Sequence, residues 1–350
     1  MLKNVIRIVP LFLLQCLSGQ DLQMIVQQGL RQDSVANYKK AIEIFTEALA
    51  ENPESSTLWY NRGVVHMHAD NYSLAVVDFN KAVVLDTSNS DAYFNRSLAY
   101  RLTGNYQFAF ADICQYLLWF PLDTNALRFR ADLALEMKDY AAAEMDYYSL
   151  FQISPHNQEL QLQWFQVLLL NKKYDKAESI LNEWITGQPE NLELYYKRAF
   201  VRHLLGNYSG SQDDIHVYIL NHAENLEIQK LKADNLFYLQ QFSQALAIYE
   251  DLLMKDSLNP DLLADYGHCL LQLRDYYKAE NVLTKSIQLK NNDPAYAYLG
   301  RGIARSNIRM GDKACEDWNK SLMLGETRAK KYLELYCIKE NLKENVNIEK

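Results

Sequence analysis

In residues 56–88, Trp59, Gly63 and His66 keep a helical spacing, Asp70-Asn71 interrupts it, and Tyr72, Ala75, Phe79 and Ala82 resume it. Spacings of three and four predict two amphipathic helices joined by a tight turn. The pattern returns at a fixed interval. Aromatic residues stand 34 apart at Tyr38, Tyr72, Tyr106, Tyr140, Tyr174, Tyr208, Phe242 and Tyr276. A small residue follows three places later at Ala41, Ala75, Ala109, Ala143, Ala177, Ser211, Ala245 and Ala279. Prolines at Pro53, Pro121, Pro155 and Pro189 keep the same frame. A period of this length describes a stack of one supersecondary unit, not a single globular catalytic domain.

Each recurring type has a physical role. Small residues let two antiparallel helices approach closely. The aromatic at the start of the second helix fills the wedge between units. Proline cannot continue a helix and closes the unit.

The segments Trp59-Tyr-Asn-Arg-Gly63, Thr103-Gly-Asn-Tyr106 and Phe45-Thr-Glu-Ala48 through Asn52-Pro53 resemble the tetratricopeptide-repeat family. The resemblance implies an all-α, right-handed α-solenoid of about nine helix-turn-helix repeats, starting at Leu22, Ser56, Ser90, Thr124, Gln158, Leu192, Leu226, Pro260 and near Pro294. The repeats are expected over 20–325, a capping helix over 326–342 with Leu333 and Tyr336 facing inward, and a frayed tail over 343–350. In the ninth unit, the first helix is expected to gain about two residues and the turn to lose as many.

The first residues differ from the rest. Lys3 and Arg7 precede the apolar run Val9 to Leu14, and Cys16, Ser18 and Gly19 follow. This is the layout of a secretory signal over 1–19, cleaved near Ser18 or Gly19, and it points to a periplasmic or secreted protein. Lipid attachment at Cys16 is a variant of that reading, and a first solenoid helix in a cytoplasmic protein is the other.

With 49% apolar and 23% charged residues, the composition fits a continuous folded core. The net charge of -8 argues against nucleic acid, which requires a basic face.

Cys315 lies ten residues before Gly325 and Cys337 twelve after it, so a helical hairpin turning at Gly325 would bring them face to face. The run Ala314-Cys-Glu-Asp-Trp318, Leu324-Gly325 and Tyr336-Cys337 also resembles the closing unit of exported tetratricopeptide proteins of Gram-negative bacteria. A disulfide there would add about 3 kcal/mol; two unpaired buried thiols are the alternative. Cys114 and Cys269 lie in distant repeats, cannot meet, and read as small core residues.

No zinc, phosphate-loop or nucleophile motif occurs, so no catalytic residue, metal site, cofactor or small-molecule substrate is expected. The family resemblance implies a partner protein or peptide bound along the first helices. By register these present Tyr60, Val64, Phe94, Leu98, Arg101, Arg128, Tyr196, Phe200, His203 and Lys230. Aromatic and cationic groups together suit a segment with acidic and apolar side chains. Arg128 with Asp132, and Lys230 with Asp234, are four apart and could instead satisfy each other. Glu159, Glu193, Glu227 and Asp261 each follow an asparagine by two residues, which suits helix capping. The expected role is a non-catalytic scaffold that binds another protein in the bacterial periplasm or cell envelope; a permanent structural subunit of an envelope complex and a cytosolic adaptor are the rivals.

Overall fold

The computed structural model describes residues 19–220 and 225–337, all of whose regular elements are helices. The proposed signal up to residue 18 and the tail beyond 337 lie outside the described residues.

Two compact units divide the chain between Lys173 and Tyr174. The first contains α1 (Gly19–Ser34), α2 (Tyr38–Glu51), α3 (Ser56–His68), α4 (Tyr72–Leu85), α5 (Ser90–Leu102), α6 (Tyr106–Trp119), α7 (Thr124–Glu136), α8 (Tyr140–Ile153) and α9 (Gln158–Leu170). The second contains α10 (Tyr174–Gly187), α11 (Leu192–Leu204), α12 (Tyr208–Ile219), α13 (Leu226–Tyr238), α14 (Phe242–Lys255), α15 (Pro260–Gln272), α16 (Tyr276–Gln288), α17 (Pro294–Asn307), α18 (Gly311–Met323) and α19 (Ala329–Tyr332). The expected all-α stack of helical hairpins is what forms.

The frame is visible in the backbone. Ala36, Asp70, Gly104, Lys138, Lys172, Gly206, Gln240 and Arg274, each 34 from the next, adopt positive φ between first and second helices. That left-handed residue reverses the chain while the turn closes its carbonyls. The next one is Arg309, 35 residues on. The ninth repeat therefore carries one extra residue, in the 14-residue α17, and the turn does not take it back as expected.

Small residues permit the close approach. A Cβ on Gly63 would lie 2.7 Å from the Phe79 ring, and one on Gly302 2.4 Å from Trp318 Nε1. Ala41, Ala75, Ala109 and Ala143 are fully buried in their second helices. Asn157, Asn225 and Asn259 accept from backbone amides of α9, α13 and α15, as capping requires, whereas Asn191 makes no such bond.

A second ladder, absent from the expectations above, ties first helix to second. Arg62, Arg96, Arg130, Arg198 and Arg301 each grip an aspartate sixteen residues on, through Nε and Nη2: Asp78, Asp112, Asp146, Asp214 and Asp317. All five carboxylates are buried. Bidentate geometry suits a guanidinium facing a carboxylate out of water. Burial pushes the Asp112 carboxyl above its ordinary range, against the pull of Arg96.

The expected capping helix over 326–342 is described only as far as Cys337. After Gly325, α19 gives way to a π-helical turn, Leu333–Cys337. Tyr332 stacks on buried Trp318 at 5.1 Å, with Ala329 buried beside it. Tyr336, expected to point inward, keeps one edge on the Trp318 ring at 5.8 Å but is 58% exposed. The structure joins Cys315 to Cys337, with Cα atoms 5.9 Å apart. Cys269 is buried; Cys114 is half-buried and accepts from Arg130 Nη1 at 3.6 Å.

Candidate functional site

In the first unit, four of the residues assigned to a binding wall are interior. Tyr60, Val64, Phe94 and Leu98 are each no more than 2% exposed. Tyr60 packs on Phe79 and accepts from Asn95 of the next repeat at 2.9 Å. Phe94 sits between Tyr116 and Phe129 at 5.0 and 6.2 Å. Their apolar surface is spent on neighbouring helices, so they cannot meet a partner as first assigned; this corrects the assignment. Arg101 is half-buried over the Phe129 ring at 5.4 Å. Arg128 reaches across to Glu159 at 3.0 Å rather than to Asp132, which instead accepts from Tyr147.

The second unit brings its assigned residues closer together. Here α11 touches α13 and α15 touches α17, and Lys230 on α13 reaches Asp265 on α15, so residues of successive first helices meet. Tyr196 is half-buried and donates to Glu227 at 3.4 Å; Phe200 is 40% exposed. His203 meets Asn235 Oδ1 through Nδ1 at 2.8 Å, and Asn235 donates to Ser211 at 2.7 Å. Ser211 in turn donates to the Ala199 carbonyl at 2.7 Å. The one serine in the alanine series thus anchors a buried chain that holds His203 on the wall.

A cavity of about 100 Å³ opens there, lined by His203, Asp234, Phe237, Tyr238, Tyr249, Asp265, His268 and Tyr296. Lys230 Nζ lies 2.9 Å from both Asp234 and Asp265, and Tyr249 donates to Asp234 at 2.7 Å. Burial pushes Asp265 up to about 6; Lys230 pulls it down, and Asp234 adds repulsion. Burial opposes the charge on Lys230, and the two carboxylates outweigh it, holding the ammonium above its ordinary range. His268 is stacked flat on Tyr296 at 3.5 Å and bonded to its carbonyl; burial lowers it to about 4. Tyr208 stacks on Tyr238 at 4.6 Å, leaving Tyr238 53% exposed.

Of the sequence-assigned residues, the structure places His203 on the cavity and Lys230 across its carboxylates. Asp234, which the same register places on that wall beside Lys230, also lines the cavity, whereas Tyr238, Asp265, His268 and Tyr296 lie outside the register assignment. Asp234 has a counterpart at Asp132, three repeats earlier, but Tyr238, Asp265 and Tyr296 have none in the 34-residue frame, so no periodic signal marks those three. The arginine–aspartate ladder was legible: both members keep the frame at 62, 96, 130 and 78, 112, 146.

Among the described residues, no group of three His, Cys, Asp or Glu could hold a metal ion, and no helix is long and apolar enough to cross a membrane.

Tetratricopeptide-repeat models match residues 134–199 and 236–301, and a second such model matches 26–90. No curated protein matches the chain in sequence. Among solved structures, a Naa15/Naa10 complex bound to HypK-THB is 14% identical with a TM-score of 0.57. The match covers 89% of this chain, and this chain spans 65% of that one. A tetratricopeptide repeat protein from Parabacteroides merdae is 17% identical, with TM-score 0.41 and coverage of 81% and 99%. The TPR domain of P58(IPK) is 18% identical, with TM-score 0.35 and coverage of 93% and 99%. At such identities the likeness is one of fold. The repeat models together span more than half of the chain, and every described helical hairpin before the ninth keeps their frame: the chain belongs to the tetratricopeptide-repeat family.

Proposed function

We propose that this protein is a non-catalytic scaffold that binds a segment of another protein along the first helices of its second unit. One observation carries the reading. Tyr196, Phe200 and Tyr238, on the first helices α11 and α13, present aromatic surface beside a cavity. Open aromatic surface beside fixed polar groups is what peptide grooves use. Photo-crosslinkers placed at Phe200 and Tyr238 should capture one common partner, and Tyr196→Ala with Phe200→Ala should abolish capture while helicity is kept. Undiminished capture by that double variant overturns the groove assignment.

Export to the periplasm belongs to the same proposal. It rests on the charged, apolar and small-residue order of residues 1–19 and on the pairing of Cys315 with Cys337. Intact mass after alkylation without reduction checks both. A chain starting near Gly19 with two protected thiols is expected; a full-length chain with all five labelled refutes export.

A second reading, a permanent subunit of an envelope complex, has its own support in the first unit. Leu74, Val77 and Val84 on α4, Phe108 and Leu118 on α6, and Met145 on α8 are each more than half exposed. An apolar stripe on successive second helices suits a lasting interface. Under that reading, Phe108→Lys with Leu118→Glu releases the protein from its complex and leaves crosslinking at Phe200 intact.

A further inference from the structure

The cavity of the second unit has a charge imbalance. Two carboxylates, Asp234 and Asp265, share the single ammonium of Lys230 at 2.9 Å each. The surrounding walls are aromatic: Phe237, Tyr238, Tyr249 and Tyr296. His268, deep in the cavity, is kept neutral by burial and brings no positive charge. Glu193, Glu227 and Asp261 lie at the starts of the flanking helices and add to the negative field. This chain already seats cations on such surfaces, with Lys230 between the two carboxylates and Arg328 over the Tyr296 ring at 5.5 Å.

We propose that this cavity receives a cationic side chain, arginine or lysine, from the bound protein segment. Arg328, the other cation at the wall, is paired with Glu326, so an incoming cation supplies the positive charge that Asp234 and Asp265 lack. Its aliphatic stem and charged head meet the ring of Tyr238, whose outer surface is open. A guanidinium also offers a flat face to that ring and a donor edge to Asp265, which an ammonium cannot match. At about 100 Å³ the cavity holds a few water-sized volumes, enough for a side-chain head and not for a folded element. The anionic segment suggested by the arginines and lysine of the sequence is the reverse of this. At the cavity Lys230 is already paired to carboxylates, and what remains there is negative.

This inference rests on the groove reading and sharpens it. The probe is a fluorescein-labelled glycine–serine octapeptide with one central arginine, compared with lysine, citrulline and norleucine versions by polarisation on the intact protein. The arginine or lysine peptide should bind at least tenfold more tightly than the citrulline and norleucine peptides. Asp265→Asn and Asp234→Asn, checked for helicity, should each reduce that preference to less than threefold. Lys230→Met, which removes the resident cation, should strengthen arginine binding several-fold. Whether arginine or lysine leads separates guanidinium from simple ammonium recognition. Equal binding of charged and neutral peptides overturns the inference without relying on any variant, as does a preference that survives both aspartate substitutions. Crosslinking capture at Phe200 and Tyr238 without a cation preference sinks the cation pocket and leaves the groove; loss of both sinks the groove reading itself.

Discussion

The two units use one repeat frame and distribute apolar surface in opposite ways. In the first unit, Tyr60, Val64, Phe94 and Leu98 on first helices are sealed into the core, while Leu74, Phe108 and Leu118 on second helices face solvent. In the second, the matching first-helix positions carry Tyr196, Phe200, Lys230 and Asp234, all partly open. Its second helices expose large apolar groups only singly, as at Met254 on α14, Tyr277 on α16 and Met323 on α18. A period fixes where helices stand, and the residue at each frame position decides which face can hold a partner.

The arginine–aspartate ladder offers the largest way to break this comparison. In the first unit, Asp146 is held by Arg130 through two bonds of 2.9 and 2.6 Å. In the second, Asp214 is held by Arg198 and also by Arg202 at 2.9 Å. Arg130→Ala strands a buried carboxylate and should cost about 3–5 kcal/mol, whereas Arg198→Ala should cost clearly less because Arg202 remains. Urea unfolding followed through the hydrogen exchange of each unit checks both, and equal losses would refute the backup role.

Next in size is helix contact. Gly302→Ala drives a methyl into the buried Trp318 ring and should destabilise the second unit by about 2 kcal/mol, read in the same exchange experiment.

A smaller effect follows from the acidic cavity. Asp265 has a folded pKa of about 6, above its ordinary value of 3.8, with Lys230, Asp234 and Asp261 as the charged groups acting on it. The folded state binds this proton more tightly than the unfolded chain, so stability contributed here is present below about 4 and lost as pH rises through about 6. Asp265→Asn should therefore stabilise the second unit by about 1 kcal/mol at pH 7, with no gain at pH 4, by urea denaturation at each pH. A stabilising loss of a charge is the signature of a residue kept for binding.

The smallest effect concerns the turns. Lys138 in the first unit and Gln240 in the second hold φ near +60° with a side chain present. Lys138→Gly and Gln240→Gly should each raise stability by up to about 1 kcal/mol, equally in both units, which makes them the control for the larger asymmetries.

What could be read in advance depended on whether it repeats. The hairpins, their turns and the small-residue contacts recur, so single positions such as Ala75 and Gly63 announced their roles by company. The interior placement of Tyr60 and Phe94 did not, because position in a repeat does not say whether the next repeat covers the side chain. Asn95 and Phe129, from neighbouring repeats, decide that.

The sequence by itself determined an all-helical stack and its frame, because helix period, turn residues and small-residue spacing are local properties written once in every 34 residues. The cavity was decided only by tertiary structure. Lys230, Asp265 and Tyr296 come from three different repeats, and Ser211 anchors His203 through Asn235 from a fourth element of the stack. Their chemistry is a property of distance and burial, neither of which any one repeat contains.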